Sequence, residues 1–405
     1  MLKGVEYTQA RDILLSLPVR PRTERLPLWG ALGRVLAEDV SADFPVPPFD
    51  KSPFDGFAFR ACDVPGTLEV GGESGAGTRE LPPLAPGAAI RIFTGAPVPE
   101  GADAVVKFED ADAGSGRVTI ASAFAPGTNV IRAGEDIGLG ELAARAGSVL
   151  SPALLGVLAS LGRASLRVYG KPQASIICTG TELTEPGEPR PKYGIYNSSV
   201  YSLCGYLRSM GFETRFAGAQ PDDEELISSA LASAMDSDAD VVMMTGGASV
   251  GDYDFAMRAV ERIGARTLFW KVKMKPGGAL LAAERDGKLC LGLSGNPAAA
   301  LMSLLVVLQP CLRRYTGARV RMEELRLPLR HALPKVSSGC RMLRGRLLVE
   351  DGRAWFLEAE GRGNGNIASF NGCDLIGVIP GGTGMLPANS SIKALRLPPD
   401  LCRWP

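Results

Sequence analysis

The chain has 405 residues, with 44 Lys plus Arg against 44 Asp plus Glu, so its net charge is zero. That balance excludes a basic field for nucleic acid and an acidic tail. Single cores stop growing beyond roughly 250–300 residues, so several domains are expected.

The first ten residues lack the basic-then-apolar pattern of a secretory leader. Residues 8–17 read as an amphipathic helix with Thr8 as N-cap, ending before Pro18. Residues 35–40 and the Pro-rich 44–49 read as an extended linker. Between about 52 and 144, short β-type runs at 89–93, 104–108, 117–120 and 128–131 alternate with Gly/Pro turns, which predicts a small inserted β domain. Residues 151–161 read as a helix with Ser151 as N-cap, Pro152 at N1 and Gly162 at its end.

From 173 the pattern alternates. Strands are expected at 174–178, 213–219, 240–244, 267–272, 280–283 and 288–293. Helices are expected at 199–210, 223–235, 255–263 and 298–312. Asp222 with Glu225 reads as a capping box for the second of these helices. The alternation argues for a central α/β domain with a largely parallel sheet, whose ligands gather at the carboxyl ends of the strands. The apolar run 298–308 falls far short of the ~20 residues a membrane helix needs. After about 317, runs at 324–327, 346–349, 355–358, 375–379 and 391–395 predict a second small β domain, with Pro328 closing the first run. The fold class is therefore multidomain α/β plus β. Its parts are an extended helical/linker domain (1–50 and 145–172), the inserted β domain (51–144), the α/β domain (173–320) and the C-terminal β domain (321–405). The chain reads as a soluble, cytoplasmic protein with no membrane partner.

Three loops fall on the rim where an α/β sheet binds. Residues 245–254 read Thr-Gly-Gly-Ala-Ser-Val-Gly-Asp-Tyr-Asp. The small residues let backbone N–H groups and the Ser249 hydroxyl approach an anion, and Asp252 and Asp254 follow as acceptors for a divalent cation. Ser294-Gly295-Asn296-Pro297 feeds the helical run 298–312, with Asn296 as N-cap and Pro297 at N1. A glycine turn entering a helix is a ready anion site, and equally an ordinary strand-to-helix connection. Thr179-Gly180-Thr181-Glu182 is the third loop. The eight cysteines form no Cys-x-x-Cys pair and read as reduced thiols, mostly in the core. His331 is the single histidine, so a histidine-based metal site is excluded and any metal must rest on carboxylates, which favours Mg²⁺. In the inserted domain, Asp55-Gly56, the 92–106 loop with Thr94, and Gly134-Glu135-Asp136-Ile137 set carboxylates at turns, where Asp is also an ordinary turn former.

Taken together these segments resemble the molybdopterin molybdenumtransferase family, which includes the C-terminal domain of gephyrin. The resemblance spans nearly the whole chain in family order. It comprises Ser-x-x-Asp-Gly-Phe-Ala at 52–58, Thr-Gly-Ala-x-x-Pro at 94–99, Gly-Glu-Asp-Ile at 134–137 and Thr-Gly-x-Glu-Leu at 179–183. Tyr-Gly-Ile-Tyr-Asn-Ser at 193–198, Thr-Gly-Gly-x-Ser-x-Gly-x-x-Asp at 245–254, Lys-Pro-Gly at 275–277 and Gly-Asn-Pro at 295–297 complete it.

The resemblance implies an elongated homodimer with its site between the inserted β domain of one subunit and the α/β domain of the other. It implies adenylylated molybdopterin and molybdate (or tungstate) as substrates, Mg²⁺ as cofactor, and release of AMP. By position, Asp55, Thr94, Asp136, Glu182 and Asp254 would be catalytic, and Glu182, Asp222 and Asp254 would hold metal. Gly246, Gly247, Ser249, Lys271, Lys275, Ser294, Asn296, Pro297, Arg341 and Ser369 would bind substrate. Partner proteins would be the molybdopterin adenylyltransferase and cofactor-free molybdoenzymes.

Two departures stand out. The family's Lys-Pro-Gly-Lys-Pro is Lys275-Pro276-Gly277-Gly278-Ala279 here, one cation fewer, and its Gly-Leu-Pro-Gly-Asn-Pro carries Ser294 in place of the first proline. They leave open a tungstate-selective enzyme or a degenerate paralogue acting as a molybdopterin-binding scaffold. The adenylyltransferase one step earlier is expected to be the α/β module alone, which the 52–144 insertion and the C-terminal β domain argue against.

Overall fold

A computed structural model of the chain describes residues 2–247, 255–318, 322–359 and 366–399. Two compact units are present: Met1–Glu24 with Val168–Pro405, and Arg25–Arg167.

The first unit is organised on a seven-stranded sheet. Its order is Leu2–Val5, Arg266–Val272, Leu280–Arg285, Lys288–Leu293, Val241–Thr245, Gln173–Thr179, Glu213–Gln220. All neighbours are parallel except around Leu280–Arg285, which runs antiparallel to both of its partners. The N-terminal strand, which sequence reasoning left unassigned, extends the sheet beside Arg266–Val272. The strands are apolar on both faces because helices cover both, and the two-residue period sorts them. Met243, Ile176 and Leu291 face the helices Tyr7–Leu15, Ser198–Ser209 and Pro297–Ser303, while Val242, Met244, Ile177 and Cys290 face Glu224–Asp236 and Phe255–Arg262.

A five-stranded antiparallel sheet follows in the order Glu323–Pro328, Ser391–Arg396, Leu375–Ile379, Arg341–Glu350, Arg353–Glu358. One of its faces has its own core around Phe356, and the other, with Met342, Ile376 and Leu395, joins the core of the α/β sheet.

The second unit carries a six-stranded sheet in the order Ala104–Lys107, Gly56–Phe59, Ala88–Ile92, Gly66–Ser74, Arg117–Ile120, Asp112–Gly114. Gly56 is there for close packing rather than for a turn. A Cβ on it would sit 1.8 Å from the Val106 carbonyl oxygen of the next strand. The helix Pro152–Ser160 starts where expected, the Ser151 hydroxyl accepting from Leu154 N at 3.2 Å.

Four local expectations are corrected. The first helix is Tyr7–Leu15 with Glu6 at its N-cap and no side-chain cap, so Thr8 lies inside it. Residues 128–131 form no strand; Thr128 and Val130 close turns, and only Ile131 makes a bridge, to Lys51. Asp223, not Asp222, caps Glu224–Asp236, accepting from Glu225 N and Leu226 N at 2.9 Å each. The predicted helix 298–312 is two α segments, Pro297–Ser303 and Gln309–Tyr315, joined by a π turn at Leu304–Leu308. Pro310 has no N–H to continue the regular ladder, and the chain widens just before it. Among the described residues no helix is long and apolar enough to cross a membrane.

Candidate functional site

In the first unit, three loops converge at the carboxyl ends of neighbouring strands Gln173–Thr179, Val241–Thr245 and Lys288–Leu293. Gly246 has φ 92°, and a Cβ there would lie 2.3 Å from Thr179 Oγ1 and 2.4 Å from Thr179 O. Gly295 lies against it, its Cβ position at an ordinary contact distance of 3.4 Å from Gly246 Cα. At Gly246 only glycine fits, both for the positive φ and for the approach to Thr179. Thr179, 5% exposed, has a buried hydroxyl with no hydrogen-bond partner among the described residues. A buried hydroxyl left unmade is costly, and this one faces the cradle. Sequence reasoning placed Thr179 on the rim without a role; only the strand register puts it against Gly246.

Two exposed carboxylates border the cradle. Asp222 Oδ2 accepts from Thr181 N at 3.4 Å, and Thr181 Oγ1 accepts from Asp222 N at 3.3 Å. The Glu182 carboxylate folds back over Gly180, where a Cβ would meet its Oε2 at 2.6 Å. Both therefore sit at one turn. Mg²⁺ typically takes one or two protein carboxylates and completes its shell with phosphate oxygens and water, so this pair suits it. Among the described residues no group of three or more His, Cys, Asp or Glu gathers as a metal site. Ser249, Asp252 and Asp254 lie outside the described residues.

The 294–297 turn is less open to anions than its sequence suggests. Asn296 Oδ1 already accepts from Ala298 N (3.0 Å) and Ala299 N (3.3 Å), and Ser294 Oγ accepts from Asn296 N at 3.2 Å. Pro297 sits in the first turn with no N–H to offer. Gly246 N is likewise taken, by Leu293 O at 3.2 Å.

A second constellation forms where the α/β sheet meets the C-terminal sheet. Lys275 and Arg341 pair backbone to backbone across a parallel bridge, Lys275 N donating to Cys340 O and Met342 N to Lys275 O, at 2.9 Å each. Both line a cavity of about 660 Å³ together with Lys273, Lys335, Arg344 and Glu358. Five cations face one carboxylate, so the cavity is electropositive. Arg341 Nη2 lies 3.8 Å from Glu358 Oε1. Ser369 is buried, spends its hydroxyl on Asn366 O at 2.6 Å and does not itself line this cavity. Lys271, at φ 65°, lays its Nζ 4.1 Å from the Trp270 ring centre.

In the second unit, Asp55 and Thr94 form a tight pair. Thr94 N–H and Oγ1–H both donate to Asp55 Oδ1, at 2.7 and 2.8 Å. These bonds, the backbone one first, hold the Asp55 carboxyl below its ordinary value. Lys51 pairs with both Pro97 and Ile131, knitting the Asp55 and Thr94 loops to the segment that leads to Asp136. Asp136 is exposed, its N–H donating to Val46 O at 3.0 Å.

Residues 5–162 match the family described as the MoeA N-terminal region (domain I and II), and residues 175–314 match a probable molybdopterin binding domain. The chain is 33% identical over 388 residues to the molybdopterin molybdenumtransferase of Bacillus subtilis, covering 92% of this chain and 89% of that one. It belongs to the molybdopterin molybdenumtransferase family. A family member from Haemophilus influenzae is 35% identical over 315 residues, covering 77% of this chain and 78% of its own. A solved molybdopterin biosynthesis MoeA protein from Pyrococcus horikoshii superposes with a TM-score of 0.82 at 28% identity, over 97% of this chain and 100% of that one. Family members are transferases of molybdenum cofactor biosynthesis.

Proposed function

We propose that the chain inserts molybdenum into adenylylated molybdopterin and releases AMP in a Mg²⁺-dependent step, within the four-domain organisation expected from the sequence. The observation that carries this reading is the convergence of Thr179, Gly246 and Gly295 beside the carboxylates Glu182 and Asp222. Cleaving a phosphoanhydride needs phosphate donors and a carboxylate-held cation, and no protein nucleophile.

In this reading the Thr179 hydroxyl and the backbone N–H of Gly247 bind the linking phosphates, with Gly246, whose own N–H is held by Leu293 O, allowing the close approach. Glu182 and Asp222 hold Mg²⁺, which when bound neutralises phosphate charge. Lys275 and Arg341 bind molybdate as substrate in the electropositive cavity; Lys271 and Ser369, which do not line it, are substrate positions by family position alone. Asp55, held ionised by Thr94, and Asp136 act with the same substrate, and Ser249 and Asp254 complete the phosphate and metal sets. The working form is a homodimer in the cytoplasm, supplied by the molybdopterin adenylyltransferase and serving cofactor-free molybdoenzymes. A monomer in sedimentation would refute the dimer.

The test is a reconstitution with adenylylated molybdopterin, Mg²⁺ and either molybdate or tungstate. AMP release that requires the oxyanion, with activation of a cofactor-free molybdoenzyme, is expected, and the comparison names the metal. Tight binding without AMP release would instead make the chain a carrier.

A further inference from the structure

A second cavity, of about 320 Å³, lies in the first unit at the opposite end of the sheet from the glycine cradle. It is lined by Arg20, Arg22, Lys171, Asp240 and Tyr315, among others. Asp240 immediately precedes the strand Val241–Thr245 and accepts from Gln173 N, the start of the neighbouring strand, at 2.8 Å. No residue with a role in the proposed function lies at this end of the sheet.

Its charges do not cancel. Asp240 Oδ1 holds Arg22 Nη2 at 3.3 Å, which leaves the other carboxylate oxygen on the Gln173 amide. Arg20 makes no ion pair with a described residue, and Lys171 reaches Glu213, outside the lining, only at 3.7 Å. Three cations thus face one carboxylate that is already engaged.

Tyr315 adds an independent observation. It is 9% exposed, its ring packs against Phe212 at 6.5 Å, and its hydroxyl forms no hydrogen bond with a described residue. The ring is buried while the hydroxyl is not among the fully buried polar atoms, so it is reached from the cavity that Tyr315 lines. Burial disfavours its ionisation, so it remains a donor.

We propose that this cavity is a second anion site, taking the phosphate head of a small molecule. The guanidinium of Arg20 and the ammonium of Lys171 balance its charge, Arg22 is held in place by Asp240, and the Tyr315 hydroxyl donates to it. Guanidinium forks and a hydroxyl suit the several acceptor oxygens of phosphate, and the volume is that of a small ligand site.

The experiment uses the full chain, with inorganic phosphate and glycerol 3-phosphate as separate probes. Binding is measured by calorimetry and located by amide hydrogen exchange. Saturable binding that slows exchange at 18–24 and 168–175 is expected. Equal binding of both probes assigns the site to the free ion, and binding of the ester alone assigns it to an organic phosphate. Reversing the two exposed cations, Arg20→Glu with Lys171→Glu, should weaken binding about tenfold or more. Tyr315→Phe should weaken it several-fold without lowering the melting temperature, because the hydroxyl has no partner to lose. The proposal fails if neither probe binds, if exchange slows only around 179–182 and 245–247, or if the double charge reversal leaves affinity unchanged.

Discussion

Restoring the family's lysine at position 278 should damage this protein instead of repairing it. A Cβ on Gly278 would lie 2.7 Å from the carbonyl oxygen of Met274 and 2.7 Å from that of Val272. The backbone that carries these carbonyls is held in place. Val272 O accepts from Met274 N at 2.8 Å, and Gly278 O accepts from Val272 N at 2.9 Å. Beyond them, Lys275 is tied to the C-terminal sheet through Cys340 O and Met342 N. Forcing atoms into such a site costs about 1–3 kcal/mol, and loosening one anchoring hydrogen bond adds roughly 1 kcal/mol. Gly278→Lys should therefore lose about 2–4 kcal/mol. Gly278→Ala should lose nearly as much, because the clash is at Cβ and not along the side chain. Denaturant unfolding of the three proteins, followed by circular dichroism, measures this. If the alanine variant stays within about 0.5 kcal/mol of the parent, the close approach is not real and the argument fails. If the lysine variant is stable and binds molybdate more tightly, the position is a simple lost cation after all.

Three further outcomes are expected. Thr94→Ala removes one of the two hydrogen bonds to Asp55 and keeps the backbone one. The Asp55 carboxyl should rise yet stay below its ordinary 3.8. Because that value is depressed in the fold, its stabilisation is present above 3.8 and lost as pH falls through the folded value. A carbon NMR titration of Asp55 that is unchanged by the substitution would contradict this. Asp223→Ala should cost about 1 kcal/mol through the lost helix cap while sparing AMP release. Asp222→Asn should do the reverse, and equal effects at both positions would erase the distinction between them. Gly56→Ala should destabilise the second unit by at least about 3 kcal/mol, read as loss of soluble protein or of its unfolding transition.

Much of the chain was legible because its information is local. The caps at Ser151 and Asn296 follow from single side chains meeting nearby N–H groups. The alternation of strand and helix from 173 onward follows from periods of two and 3.6, which depend on neighbours in sequence. The ordered motifs named the family for the same reason: short segments keep their residues wherever the chain goes.

What the sequence could not decide was set by contacts between distant segments. Asp222 and Asp223 are equally plausible caps as text, and only the position of Thr181 gives Asp222 a different task. The pairing of Lys275 with Arg341 depends on a second sheet docking against the first. The hydroxyl of Thr179, buried and without a partner among the described residues, faces Gly246 because parallel register brings the two strands' ends together. Local pattern fixes backbone conformation through interactions a few residues long, whereas desolvation and close approach depend on which segments pack together. Those two terms, set by tertiary structure alone, turn a glycine into a cradle and a lysine into part of an electropositive cavity.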